Sequence, residues 1–172
     1  MNPTILIIPG WQDSGPEHWQ SLWLKKYPNA VKVEMRDWMN PKKDDWVATL
    51  DEYVHKYDEV VLVGHSLAGP LVAHWAKEHP ESTARVKGAL LVANFQKFAP
   101  GITGFDPLPL EPLSFKTIAV ASTTDPWASI EEAESIARAW GARLINIGPH
   151  GHITTDAGFG DWPEGEKLLE EL

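Results

Sequence analysis

Apolar residues follow two alternating patterns along the chain: short β-branched runs, and longer segments with apolar residues at helical spacing. The run "TILII", residues 4–8, is closed by Pro9 and Gly10, which is typical of a strand buried on both faces. Further runs predict strands at residues 31–35, 60–63, 88–92, 117–121 and 144–147.

Helical segments separate most of these strands. For the first helix, Ser14 and Glu17 have capping-box spacing, and Pro16 lies in the expected first turn. Trp19, Leu22 and Trp23 then recur at helical spacing, and the helix should end near Pro28. Further helices are predicted at residues 42–57, 67–79, 130–140 and 163–172.

The alternation of strands and helices indicates parallel strands joined by helical crossovers. The fold class is therefore α/β, and we expect a three-layer α/β/α arrangement around a mainly parallel sheet of about six strands. A length of 172 residues with 43% hydrophobic residues suits one domain over residues 1–172.

One stretch, residues 94–114 ("NFQKFAPGITGFDPLPLEPLS"), interrupts this alternation where a crossover helix is due. Its prolines exclude a well-formed long helix. Two interpretations are open: a functional lid or pocket wall, or an irregular crossover packed on the sheet.

The net charge of −9 opposes binding to phosphate backbones and anionic lipids, so neither nucleic acid nor a membrane is an expected partner. No apolar run approaches the roughly 20 residues of a membrane span. The start "MNPTILIIPG" lacks the charged and small-residue features of a signal peptide, so a cytoplasmic location is expected. The chain has no cysteine, which excludes disulfides and thiolate nucleophiles.

The stretch "VVLVGHSLAG", residues 60–69, predicts a buried strand, a sharp turn at Ser66 and then a helix. Gly64 and Ala68 flank the serine and leave room for a turn that projects the hydroxyl outward, as in a nucleophile elbow. Ala68 replaces the last glycine of the G-x-S-x-G pattern. A helix cap or a phosphate site at the helix N-terminus would explain the same motif.

Two later loops could supply the partners that activate a serine. Asp125 follows the strand at residues 117–121, and His150 and His152 follow the strand at residues 144–147. Carboxyl ends of parallel strands share one edge of the sheet, and the order Ser, Asp, His is that of α/β-hydrolases. Their positions alone do not decide which of the two histidines is the base. Gly151 favours His152, because a glycine before it permits a close approach of the backbone to the site.

An acyl-transfer site also needs hydrogen-bond donors where an oxyanion develops. The backbone N–H of Leu67, directly after the serine, is the first expected donor, and the N–H of Trp11 in "PGWQDS" is the second. Trp11 and Trp127 flank the predicted site and could form an aromatic pocket. His150, His152 and Asp156 lack the helical spacing of a zinc site, so no metal is expected.

The chain resembles the YdeN-like small serine hydrolases, the family that includes retinoblastoma-binding protein nine. The motifs that carry the resemblance run in order along nearly the whole chain: "PGWQDSGPEHWQSLW", "GHSLAG", "STTDPW" and "GPHGHITTDAGFGDWPEG". The resemblance implies a reduced α/β-hydrolase fold and a triad of Ser66, Asp125 and His152. It also implies an active-site role for the first loop, where Trp11 and His18 match family positions, and we expect His18, His65 and Trp127 to border the substrate pocket.

These observations predict a carboxylesterase-like serine hydrolase that cleaves a small ester, thioester or amide through an acyl-enzyme, without a cofactor. The expected partner is a small-molecule acyl substrate. Two alternatives share the same residues: a binding or adaptor protein that retains the fold without turnover, and an acyltransferase.

Overall fold

A computed structural model describes residues 2–172, and its strands form one six-stranded sheet in which all neighbouring strands are parallel. The strand order is β2-β1-β3-β4-β5-β6. The strands are β1 (Thr4–Ile8), β2 (Ala30–Lys32), β3 (Val60–His65), β4 (Val86–Val92), β5 (Lys116–Ala121) and β6 (Arg143–Asn146). The predicted α/β class and the six parallel strands are confirmed.

In the described part of the chain, five α-helices connect or follow the strands: α1 (Trp19–Lys26), α2 (Lys43–His55), α3 (Ala68–Glu78), α4 (Ile130–Trp140) and α5 (Pro163–Glu170). Short 3-10 turns lie at Ser82–Arg85 and Thr155–Ala157. Across residues 2–172, no helix is both long enough and apolar enough to span a membrane.

The two faces of the sheet are covered by different helices. Along β1 the side chains alternate, so that Leu6 belongs to the core on the face covered by α2, α3 and α4, while Ile7 belongs to the core on the face covered by α1 and α5. The central strand β3 is buried over its whole length, as its unbroken apolar run predicts. Helices on both faces give the three layers that were expected.

The start of α1 differs from the prediction. The helix begins at Trp19, and its N-cap is His18, whose side chain accepts a hydrogen bond from the backbone N–H of Gln20. Ser14 instead donates its hydroxyl hydrogen to the Gln20 side chain. The capping-box prediction was wrong because the residues before Trp19 form turns and irregular backbone rather than a first helical turn.

Residues 94–114 form an irregular crossover that packs on the α2/α3 face of the sheet. Phe95, Ile102 and Phe105 are buried in the core on that face. The Nε2 atom of His74 on α3 lies 2.8 Å from the Phe105 carbonyl oxygen, and Trp140 on α4 donates to the Pro109 carbonyl. These contacts favour the crossover interpretation over that of a lid.

Candidate active site

Ser66 occupies the turn between β3 and α3 with a positive φ of 60°, a conformation that a non-glycine residue rarely adopts. Its backbone N–H donates to the Val92 carbonyl at the end of β4 (2.8 Å), and its carbonyl accepts from the Gly69 N–H. These bonds hold the strained turn in place. The structure therefore has the sharp strand-to-helix turn that the sequence predicts.

Small residues on both sides make this turn possible. A Cβ atom on Gly64 would lie 2.9 Å from the Ala68 Cβ and 3.2 Å from Leu91. A Cβ atom on Gly10 would lie 2.9 Å from both the Ser66 Cβ and the His65 carbonyl oxygen. The loop after β1 thus rests directly on the turn. This contact lies between β1 and β3, the point at which the order of the strands in the sheet changes direction. Ligands of open α/β sheets bind at such points.

His152 connects Ser66 to Asp125. Its Nε2 atom lies 2.8 Å from Ser66 Oγ, and its Nδ1 atom lies 2.9 Å and 3.0 Å from the two carboxylate oxygens of Asp125. Because an ionised carboxylate only accepts hydrogen bonds, Nδ1 carries the ring proton and the Nε2 lone pair faces the serine hydroxyl. This arrangement is suited to removing the hydroxyl proton.

Asp125 and His152 are held by backbone contacts of their own loops. Asp125 Oδ1 also accepts from the Trp127 N–H (2.9 Å), and the Asp125 side chain is only 4% exposed. Ser122 and Thr124, in the loop after β5, accept hydrogen bonds from the His150 and Gly151 N–H groups. The loops after β5 and β6 are therefore joined beside the site. Sequence reasoning missed this role, for which the hydroxyl run in "STTDPW" was the available signal.

The other candidate histidine, His150, is not brought to Ser66. His150 is exposed to solvent, and its ring packs edge-to-face against Phe159. Of the two histidines left open by position, only His152 bonds to Ser66.

The two expected oxyanion donors lie on adjoining loops. Gly10 lies close to Leu67, because a Cβ atom added to Gly10 would be 3.3 Å from the Leu67 backbone nitrogen. Within residues 2–172, neither the Trp11 nor the Leu67 backbone N–H donates to a protein acceptor. Leu67 is fully buried, so a free N–H there is costly unless a ligand accepts from it.

A cavity of about 220 Å³ lies in front of Ser66. The three predicted pocket residues, His18, His65 and Trp127, all line its wall. Trp11, Ser66 and His152 line it as well. The Trp11 and Trp127 rings meet edge-to-face with centroids 6.2 Å apart, and the Trp11 Nε1–H donates to the Met39 carbonyl. No residue of the 94–114 crossover lines this cavity.

Two histidines at the cavity stay neutral. Burial, with a smaller effect of nearby His152, lowers the pKa of His18 to about 4, and Asp13 only partly opposes this. Burial also lowers the pKa of His65 well below its usual range, with His18 and His152 acting in the same direction. Neither ring carries charge near neutral pH, so these two positions of the wall beside Ser66 are polar but uncharged.

Gln20 is a buried residue that sequence reasoning missed. Its side-chain amide donates to the Ile8 carbonyl (3.0 Å) and the Val63 carbonyl (3.2 Å), near the ends of β1 and β3. It thereby ties together the two strands that carry the first loop and the serine turn. A polar residue on the apolar face of α1, beside Trp19 and Trp23, was the signal that could have identified it.

The sheet, the turn at Ser66 and the order of the site residues define a reduced α/β-hydrolase fold. The serine hydrolase family model matches residues 5–171, so the chain belongs to the serine hydrolase family and is a hydrolase. The chain is 33% identical to a YdeN-like hydrolase from Pectobacterium atrosepticum, with a TM-score of 0.88 over 99% of this chain and 90% of that one. The resemblance to YdeN-like hydrolases is thereby confirmed.

More distant structures share the fold. The ydeN gene product of B. subtilis is 24% identical, with a TM-score of 0.80 over 99% of this chain and 98% of that chain. A thermophilic esterase from Thermogutta terrifontis is 16% identical, with a TM-score of 0.67 over 99% of this chain and 89% of that chain. A comparison with curated proteins found no match.

Proposed function

We propose that the protein hydrolyses small esters, thioesters or amides through a Ser66–His152–Asp125 triad and an acyl-enzyme. The observation that carries this proposal is the position of His152, whose two ring nitrogens lie within hydrogen-bond distance of Ser66 and Asp125. Three separate loops supply these groups, and the strained turn at Ser66 gives the serine an orientation that a simple helix cap does not need.

In the first half of the reaction, Ser66 Oγ attacks the acyl carbon while His152 Nε2 accepts the hydroxyl proton. The carbonyl oxygen becomes an oxyanion that accepts from the N–H groups of Leu67 and Trp11. The bond to the leaving group then breaks, and His152 returns the proton to the departing atom. Asp125 stabilises the imidazolium in between. Water repeats these steps on the acyl-enzyme and releases the acid.

The shape of the cavity favours a small acyl group. A volume of about 220 Å³ is below the roughly 300–1,000 Å³ of sites for drug-sized ligands. Trp11 and Trp127 give the cavity an apolar wall, while His18 and His65 are neutral. An uncharged short-chain carboxylic ester therefore fits best. The esterase from Thermogutta terrifontis among the structures of the same fold agrees with this reaction class.

Covalent labelling with a fluorophosphonate probe tests the proposal. The reaction forms a bond between Ser66 Oγ and phosphorus and breaks the P–F bond, while the hydroxyl proton passes to His152. We expect the wild type to be labelled and Ser66→Ala to remain unlabelled. Ser82→Ala, which removes another buried serine hydroxyl outside the cavity, should label like the wild type.

The labelling result also separates the alternatives. A folded wild-type protein that is not labelled would contradict the triad and favour a binding role. If the protein is labelled, product analysis of p-nitrophenyl acetate turnover follows, with and without an added alcohol or amine. Free acetate as the main product supports hydrolysis, whereas acetylated acceptor would indicate an acyltransferase.

A further inference from the structure

His65, the residue directly before Ser66, makes a contact that the reaction scheme above does not use. Its Nε2 atom lies 2.8 Å from the backbone carbonyl oxygen of His152. His65 is only 5% exposed, and its ring lies beside the His152 ring, with centroids 4.9 Å apart. The last residue of β3 is thus bonded to the backbone of the residue that faces the neighbouring serine.

The chemistry of this bond fixes the tautomer of His65. A carbonyl oxygen only accepts hydrogen bonds, so Nε2 must carry the ring proton and donate it. Burial keeps the ring neutral, which leaves Nδ1 as the nitrogen with the lone pair. The His65 ring therefore acts as a fixed N–H donor rather than as an acid or base.

Neighbouring rings restrict the orientation of His65. The His18 ring lies edge-on to it at 4.8 Å between centroids, and the Trp19 ring lies edge-on at 6.1 Å. His18 is itself fixed, because its Nδ1 atom accepts from the Gln20 N–H at the start of α1. The donor that reaches the His152 carbonyl is consequently held in place by the His18 and Trp19 rings.

The loop that carries His152 needs such a contact. Gly151 and Ile153, on either side of His152, both have positive φ angles, of 55° and 54°. The cost for Ile153 is high, because a branched side chain in this region clashes with its own backbone. Besides the bond from His65, Trp19 Nε1–H donates to the Ile153 carbonyl at 3.1 Å. Both bonds act on the strained backbone and not on the imidazole.

We propose that His65 is a positioning residue that fixes the backbone of His152, and thereby the distance between the His152 ring and Ser66. This inference rests on the proposed function of the Ser66–His152 pair. Strand β3 then holds both partners of the proton transfer, the serine through the turn and the histidine through its carbonyl. A displacement of about 1 Å between reacting groups can cost about 100-fold in rate, so the loss of this bond should be measurable.

Two variants of similar side-chain volume test the proposal. His65→Met removes the donor, whereas His65→Gln retains an N–H that can reach the carbonyl. We expect His65→Met to lower kcat for p-nitrophenyl acetate, and the rate of fluorophosphonate labelling, by about 10- to 100-fold with KM changed by less than about twofold. His65→Gln should recover most of this loss, which a role in packing alone would not allow.

His74→Met is the matched control. His74 is also a buried histidine whose Nε2 atom lies 2.8 Å from a backbone carbonyl oxygen, that of Phe105, but it lies outside the cavity. Its loss should lower stability while kcat stays within about twofold of the wild type. If His65→Met and His74→Met have equal effects on kcat, or if His65→Met labels at the wild-type rate, the inference is wrong.

A measurement on the wild type covers the case in which His65→Met does not fold. Nitrogen-15 NMR of the histidine rings should show His65 as the neutral Nε2–H tautomer with a slowly exchanging proton. A protonated or Nδ1–H His65 would contradict the inference. A wild-type protein without any labelling would instead contradict the proposed function itself, and the two failures are therefore distinguishable.

Discussion

At the scale of single residues, the geometry assigns different tasks to three neighbouring histidines. His152 is partly exposed and bonds to a carboxylate, while His18 and His65 are buried and bond to backbone groups. A carboxylate supplies the negative charge that stabilises the imidazolium formed during proton transfer, whereas an uncharged backbone group holds a ring in place without supplying a full charge. The partner of each ring therefore distinguishes the proposed base from its supports.

Replacing Asp125 by Asn tests whether the carboxylate sets the position of the proton on the His152 ring. An Asn amide can donate to Nδ1, which would place the ring proton on Nε2 and leave no lone pair toward Ser66. We expect kcat to fall by about 10⁴-fold, as for the same change in a serine protease triad, with the melting temperature little changed. Steady-state kinetics with p-nitrophenyl acetate and a thermal melt provide the measurement. A loss of only a few fold would mean that Asp125 does not orient the base.

At the scale of elements, the site depends on how closely the loop after β1 approaches the turn after β3. The approach is permitted by Gly10 and is fixed by the amide of Gln20, which bonds to carbonyl groups of both strands. It brings the N–H groups of Trp11 and Leu67 to adjoining positions. Any side chain on Gly10 would have to push the two loops apart.

Gly10→Ala is therefore expected to affect activity more than stability. The added Cβ would lie 2.9 Å from the Ser66 Cβ and the His65 carbonyl, both of which belong to the turn. We expect a loss of at least about tenfold in kcat, with a cost of about 1–3 kcal/mol in the free energy of unfolding. Gly160→Ala, where an added Cβ meets nothing within 4 Å, is the control. Equal activity of the two variants would contradict the importance of the close approach.

The elements show what the sequence could and could not predict. Helix α4 runs from Ile130 to Trp140, as predicted, and the structure shows that local features set both ends: a capping box at Ser129 and the left-handed Gly141. The start of α1 was missed because its N-cap is His18, whose ring is held in place by contacts with distant residues such as His65. The positions of Ser66, Asp125 and the two histidines His150 and His152 followed from strand ends, and Gly151 with the family resemblance favoured His152. The contacts of His65 and Gln20 required the packed structure.

At the scale of the whole molecule, the site is built from distant parts of the chain that meet at one edge of the sheet. Loops after β1, β3, β5 and β6 contribute the side chains and backbone N–H groups of the site. The start of α1 contacts these loops and strands through His18, Trp19 and Gln20. Buried polar groups of this kind couple the integrity of the site to the stability of the fold. Protonation of the buried histidines among them should therefore appear in the unfolding free energy, and not in the activity alone.

His18 gives this coupling a definite sign. Its pKa is about 4 in the folded state against 6.5 as a reference for the unfolded chain, so between these values the unfolded state binds a proton that the folded state excludes. The contribution of His18 to stability is intact above pH 6.5 and is lost as pH falls toward 4. The loss should reach about 2 kcal/mol between pH 7 and pH 5, and His65 adds to it in the same direction.

His18→Asn isolates this term, because Asn retains a good N-cap for α1 but cannot titrate in this range. Urea unfolding at pH 7 measures the change in packing and capping alone. Repeating it at pH 5 should show the wild type losing about 2 kcal/mol more than the variant does. Carboxylates and the other histidines titrate in both proteins and cancel in this difference. If wild type and His18→Asn lose equal stability between the two pH values, His18 is not held neutral by the fold, and its ring would be free to carry charge into the cavity beside Ser66.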